Sequence, residues 1–164
     1  MSNYIGIDPG LKGAIAAIDD DDNVLFLEDL PPILSMYTSW LITALADGRE
    51  FIVGHEDVYG RPGQSCKANN TFMKAAGMSE LVGRTYARND QSFFKIAPAT
   101  WKRHFGLTTS KDLSKTEKKH LSVDLARKLY PSVEKDLLYS KDGRAEALLI
   151  ARYIKDVQHS SELQ

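Results

Sequence analysis

The sequence predicts an α/β fold: a central mixed sheet of five strands, three antiparallel and then parallel, with helices on both faces. Three observations carry this. Three short apolar runs open the chain with turn-forming strings between them. Beyond them, apolar residues at three- and four-residue steps mark helices that alternate with further strand-like runs. The 164 residues suit one domain, since a chain of this size buries roughly two thirds of its unfolded surface in a single core.

The elements follow in order. Tyr4-Ile5-Gly6-Ile7 reads as a first strand, closed by Asp8-Pro9-Gly10. Ala14 to Ile18 reads as a second strand, Asp19 to Asn23 as a hairpin loop and Val24 to Leu27 as a third strand, which gives an antiparallel meander. Pro31-Pro32 breaks the chain. Ile33, Tyr37, Trp40, Leu41, Ala44 and Leu45 then share a helical face, and Gly48 ends that helix. Phe51-Ile52-Val53-Gly54-His55-Glu56 is a fourth strand; a strand reached through a crossover helix lies parallel to its neighbour. Gly60, Pro62 and Gly63 form a loop. A helix spans 71–88, with Phe72, Ala75, Ala76, Ser79, Val82 and Tyr86 on one side. Phe93 to Ala97 is a short strand stopped by Pro98, and 101–105 is a helical turn. A basic helix spans 114–130, with Leu121, Leu125 and Leu129 at steps of four, and Pro131 ends it. The last helix begins near Asp142 and carries Ala145, Leu148, Leu149, Ala151 and Ile154. Residues 1–164 form one domain, and 155–164 are expected to be a flexible tail.

Composition excludes several classes. Apolar residues make up 43% and charged residues 26%, ordinary for a globular chain and wrong for a disordered one. No apolar run approaches the roughly 18 residues a membrane helix needs. The N-terminal segment lacks the basic and apolar regions of a secretory signal. The single cysteine, Cys66, has no internal partner, so a reducing cytoplasm is the expected compartment. The net charge of −1 rules out a uniformly basic coat but hides an asymmetry. No Lys or Arg occurs from Gly13 to Gly48, where seven acids stand. From Lys95 to Lys128, nine basic residues face three acids. Such a stretch attracts a polyanion locally; a solvated helical face explains the same charges.

Functional groups of open α/β sheets collect at the carboxyl ends of strands. Asp8 and Glu56 end the first and fourth strands, which are commonly adjacent and parallel in such topologies. Two carboxylates side by side repel unless a cation lies between them. Asp142 and Glu146, four apart, share one helix face. Glu146 interrupts the apolar run Ala145-Glu146-Ala147-Leu148-Leu149-Ile150-Ala151, and an unpaired buried carboxylate is costly. Four carboxylates from three elements would hold two Mg²⁺ ions roughly 4 Å apart. Taken singly, Asp8 also fits a turn residue and Asp142 a helix cap.

These residues carry a resemblance. Ile5-Gly6-Ile7-Asp8-Pro9-Gly10, the turn containing Gly13, the strand ending in Glu56 and the helix Ala145-Glu146-Ala147-Leu148-Leu149-Ile150-Ala151 resemble the RuvC-type Holliday junction resolvases of the RNase H-like, or integrase-like, superfamily. The resemblance runs from Ile5 to about Tyr153. It implies an RNase H-like fold and a Mg²⁺-dependent endonuclease (Mn²⁺ as substitute, two ions per site) that acts in DNA recombination and repair. Its catalytic and metal-binding residues would be Asp8, Glu56, Asp142 and Glu146. Two departures stand out: the family usually has two aspartates three apart in the last helix, whereas position 143 is Gly, and Glu146 replaces an Asp. Lys102 and Lys118 look like the family's phosphate-binding lysines, Lys12 lies in the loop beside Asp8, and Tyr59 resembles an aromatic that stacks on an unpaired base. The implied substrate is four-way junction DNA, cut twice symmetrically by a homodimer, with neither membrane nor nucleotide cofactor involved. Helix 71–88 is the expected interface, with Ala75, Ala76, Gly77 and Gly83 permitting close approach. The family has bacterial and phage-encoded versions, and both origins stay open. Rival readings are a broader branched-DNA or flap nuclease, a junction-binding module with little catalysis, and a sugar kinase or actin-like ATPase. The last would need a second lobe and a second phosphate loop.

Overall fold

A computed structural model describes residues 2–9, 12–32, 36–60, 63–87, 89–107 and 113–162; at 115, 119, 161 and 162 it describes the backbone alone. Gly10, Ile33 and Pro62, named above, lie outside the described residues, as do position 88, the expected end of the second helix, and Lys111, one of the nine basic residues between 95 and 128.

Five strands form one sheet in the order β3-β2-β1-β4-β5. These are β1 (Asn3–Asp8), β2 (Ala14–Asp19), β3 (Val24–Asp29), β4 (Ile52–Glu56) and β5 (Phe93–Ile96). The first three pair antiparallel, and β4 and β5 join parallel, as the meander and the crossover helix predict. The helices are α1 (Tyr37–Asp47), α2 (Cys66–Tyr86), α3 (Pro98–His104), α4 (Lys115–Leu129) and α5 (Asp142–Glu162).

Strand residues alternate between two cores, as a pleat requires. Ile5, Ile7, Ile15, Ala17 and Val53 face Tyr37 of α1 and Val82 and Tyr86 of α2. Tyr4, Ala14, Ala16 and Ile18 face α4 and the fully buried run 147–151 of α5 on the other side. Gly48 caps α1 at φ 67, the left-handed conformation that ends helices. Ser114 and Glu117 form a reciprocal capping box at the start of α4.

Four expectations are corrected. The helix expected to begin at 71 begins at Cys66, because Ser65 caps it by accepting from the Ala68 N–H; its first turns are exposed and show no apolar periodicity. Leu45 is 75% exposed instead of facing the core, and α1 buries Tyr37 and Ala44. The segment expected as a tail from 155 is helical through Glu162, held by Lys155, whose Nζ donates to the Asp20 carbonyl at 2.6 Å and to Asp22 Oδ1 at 2.7 Å. Finally, Ala75, Ala76 and Gly83 are buried within the chain's own fold. A Cβ at Gly83 would stand 2.8 Å from Ile7 Cδ1 and 2.9 Å from Phe93, so this glycine serves the sheet. Of the four small residues proposed for close approach, Gly77 alone faces outward, between the exposed Met73 and Leu81.

Candidate active site

The register of β1 on β4 pairs Gly6 with Gly54 and Ile7 with His55, so the next residues, Asp8 and Glu56, end side by side. Side chains two apart share a face, and that face is the one covered by α5. The two paired glycines make it flat. A Cβ at Gly6 would lie 2.0 Å from the Ala147 carbonyl oxygen and 2.4 Å from the Ala151 nitrogen. The α5 backbone therefore rests directly on β1, and Ala145 and Ala147 are fully buried beside Glu146. Two strand ends and one helix thus converge: single carboxylate oxygens of Asp8, Glu56 and Glu146 all lie within 4.8 Å of one another.

Concentrating like charges in a half-buried place perturbs them. Burial, then Glu146, Glu56 and Asp142, push Asp8 well above the ordinary aspartate value, against a smaller lowering by Lys102. Glu56 is also raised, by burial and by Glu146. Opposing this, Trp101 Nε1 donates to Glu56 Oε1 at 3.4 Å, and Asp8 shares a hydrogen bond with Glu56. Lys102 Nζ pairs with Glu146 Oε1 at 3.1 Å. Burial alone would lower the Lys102 ammonium, but Glu146, Glu56 and Asp8 outweigh it and hold its pKa above the usual lysine value.

Asp142 opens α5 on the wall of the same cleft, outside the three-carboxylate group, and its charge reaches Asp8. Position 143 explains why the acid is not there. A Cβ at Gly143 would meet the Lys12 carbonyl oxygen at 2.5 Å and Asp8 Oδ2 at 3.0 Å. The loop after β1 fills that space, so any side chain three residues before Glu146 would collide with backbone.

All eight residues singled out from the sequence line one open cleft of about 1170 Å³: Asp8, Lys12, Glu56, Tyr59, Lys102, Lys118, Asp142 and Glu146. Lys12 and Lys118 are exposed on its walls. Tyr59 is 73% exposed and its hydroxyl donates to Asp57. His55 turns the other way, buried with Nε2 3.0 Å from Ser79 Oγ. Sequence reasoning missed two contributors. Trp101 is fully buried and contacts Glu56; its indole among otherwise polar neighbours was the available signal. Lys67, in the first turn of α2, lines the cleft too, and Ser65 as a helix cap would have placed it.

Sheet order, crossover and helix placement define a fold of the RNase H-like class. No protein family model matches the chain, and no curated protein matches it. Among solved structures it is similar to T. thermophilus RuvC, determined in complex with Holliday junction substrate, with a TM-score of 0.60 over 98% of this chain and 98% of that one. Identity is 16%, so the likeness is one of fold.

Proposed function

We propose that the chain is a metal-dependent, structure-selective DNA endonuclease that resolves four-way junctions by two symmetric phosphodiester cuts. The observation that carries this is the convergence of Asp8, Glu56 and Glu146 oxygens within 4.8 Å at the strand ends of a RuvC-like fold. The donor set suits a hard divalent cation, because all three ligands are carboxylate oxygens and the group already draws in the Lys102 ammonium. Asp8, Glu56 and Glu146 would hold Mg²⁺, with Mn²⁺ as substitute, and Asp142 would complete a two-ion site from the cleft wall. Bound there, the metal supplies water activation and stabilises the leaving oxygen.

The chain's own groups do the rest. The close packing of α5 on Gly6 fixes Glu146 against the strand ends, so the carboxylates are positioned before substrate arrives. Lys12, Lys102 and Lys118 bind backbone phosphates, which positions the DNA without reading its sequence. Tyr59, exposed on a loop, stacks on an unpaired base, a contact worth about 1–3 kcal/mol. A homodimer places two sites on a two-fold substrate. Its interface is the face of α2 carrying Met73, Gly77 and Leu81, spaced at steps of four and outward-facing. The role lies in DNA recombination and repair in a bacterial cytoplasm, with host and phage origin both compatible.

A second reading, a junction-binding module with little catalysis, is favoured by one observation: Gly143 leaves no ligand three residues before Glu146. Labelled four-way, flap and linear DNA, incubated with Mg²⁺ or Mn²⁺, separate the readings. The expected result is paired symmetric cuts in the four-way junction, lost in Asp8→Asn while junction binding persists. Equal rates on all three substrates would remove junction selectivity. Absence of product at every metal concentration would leave the binding module.

A further inference from the structure

Lys102 does not stand in the cleft as a free phosphate ligand. It sits on α3, a seven-residue helix started by Pro98, and its ammonium reaches inward to Glu146 Oε1 at 3.1 Å. The same ammonium lies 4.8 Å from the ring centroid of Trp101, whose indole N–H donates to Glu56. Trp101 is fully buried and cannot move without disturbing the core, so it fixes the position from which the lysine stem departs. Among the described residues, this is the ion pair made by the three-carboxylate group. A lysine is a compact point charge on a flexible stem, able to leave one anion for another with few packing consequences.

A cation of this kind, tethered beside three carboxylates, occupies an oxygen that a metal ion would need. We infer that Lys102 and a divalent cation compete for Glu146: the ammonium holds the carboxylate in the metal-free protein and swings into the cleft when the metal enters. The inference rests on the metal-site reading above and goes beyond it by giving Lys102 two successive partners, a carboxylate and then a DNA phosphate. The lysine therefore keeps three carboxylates compatible with the fold before metal arrives. It also makes a phosphate-binding charge available in the cleft only once the site is loaded.

The test uses the full chain without DNA, with Mn²⁺ as probe and binding followed by loss of the free-ion electron paramagnetic resonance signal. Lys102→Met should tighten Mn²⁺ binding about tenfold, the scale of a lost charge-assisted contact. Lys102→Arg keeps a cation beside Glu146 and should leave binding near wild type. Lys118→Met removes an equal charge from the cleft without touching the carboxylates, and its Mn²⁺ affinity should change by less than about twofold. A second readout needs no variant: amine labelling of wild-type Lys102, followed by mass spectrometry, should rise on adding Mn²⁺ while that of Lys118 does not. If wild type binds Mn²⁺ and Lys102→Met binds no more tightly, or if Lys118→Met tightens binding equally, the competition is overturned while the metal site stands. If neither wild type nor Lys102→Met binds Mn²⁺, the metal-site reading fails and the competition with it.

Discussion

The two ends of α5 handle acidic neighbours in opposite ways. Near its start, Glu146 is brought to Asp8 and Glu56, three carboxylates against one ammonium among the described residues, that of Lys102. Further along, Arg152 and Lys155 reach Asp22 at 2.9 and 2.7 Å, and Arg152 also pairs with Asp156. His159 lies 3.4 Å from Asp20, which accepts from the Ser2 N–H and the Tyr4 hydroxyl as well. One helix thus anchors a hairpin by matching Asp20 and Asp22 with donors, and elsewhere concentrates acids that match badly. Paired acids lower the folded energy, whereas clustered ones raise it and persist where a ligand repays the strain.

The largest expected effect tests what brings the two ends into register. Gly6→Ala should destabilise the chain by about 3 kcal/mol or more, because the new methyl would overlap the α5 backbone. Chemical denaturation measures it. If stability stays near wild type, α5 does not rest on β1 as described, and the position of Glu146 loses its explanation.

The clustered end should respond with the opposite sign. Asp8→Asn removes one charge from the group and should raise metal-free stability by roughly 1 kcal/mol. It should also abolish most of the increase in melting temperature that Mg²⁺ gives the wild type. A loss of stability would instead mark Asp8 as a structural turn residue.

That contrast sets a pH dependence. Asp8 and Glu56 have folded values raised above the ordinary 3.8 and 4.5, so the folded state holds their protons more tightly than the unfolded chain does. Their contribution is favourable at acidic pH and is lost as pH rises from those ordinary values through the raised ones. Asp20 behaves inversely: burial pushes it up, but the bonds from Ser2, Tyr4 and His159 outweigh this and hold it low. Its contribution is present above the ordinary value and is lost as pH falls through the lowered one. Metal-free protein should therefore lose stability as pH rises above the ordinary carboxylate values, and Mg²⁺ should restore more at neutral pH than at mildly acidic pH. Melting curves with and without Mg²⁺ decide; an equal effect of metal at both would remove the strain from the cluster.

What the sequence made legible follows the same division. Strands and the parallel crossover were readable because apolar alternation and turn residues are local signals. Asp8 and Glu56 stood out because each ends an apolar strand, and Glu146 because it interrupts an apolar run. The close approach that joins them was not readable: Gly6 and Gly54 announce nothing until β1 and β4 are set in register and α5 is laid across them. Gly143 read as a departure from the family pattern, and only the path of the Lys12 backbone shows why a side chain has no room. The end of α5 misread as a tail because its anchors are charged, and partners such as Asp22 and Lys155, 133 residues apart, leave no periodicity.

The smallest effect belongs to the paired end. Asp20 joins the chain's second residue, the ring of Tyr4 and His159 near the end of α5 through one carboxylate. Asp20→Asn keeps the shape but removes the charge, so each donor finds a weaker acceptor. Its side chain is 26% exposed, and water screens the pair with His159, so the loss should be about 0.5 kcal/mol at neutral pH. Lowering the pH should shrink this difference as the wild-type carboxylate itself becomes protonated. Two-state denaturation of both proteins at neutral and acidic pH measures it. A destabilisation as large as that of Gly6→Ala would mean the hairpin is held mainly through Asp20. No change at all would assign the anchoring of α5 to Asp22 with Arg152 and Lys155, leaving Asp20 as a bystander beside them.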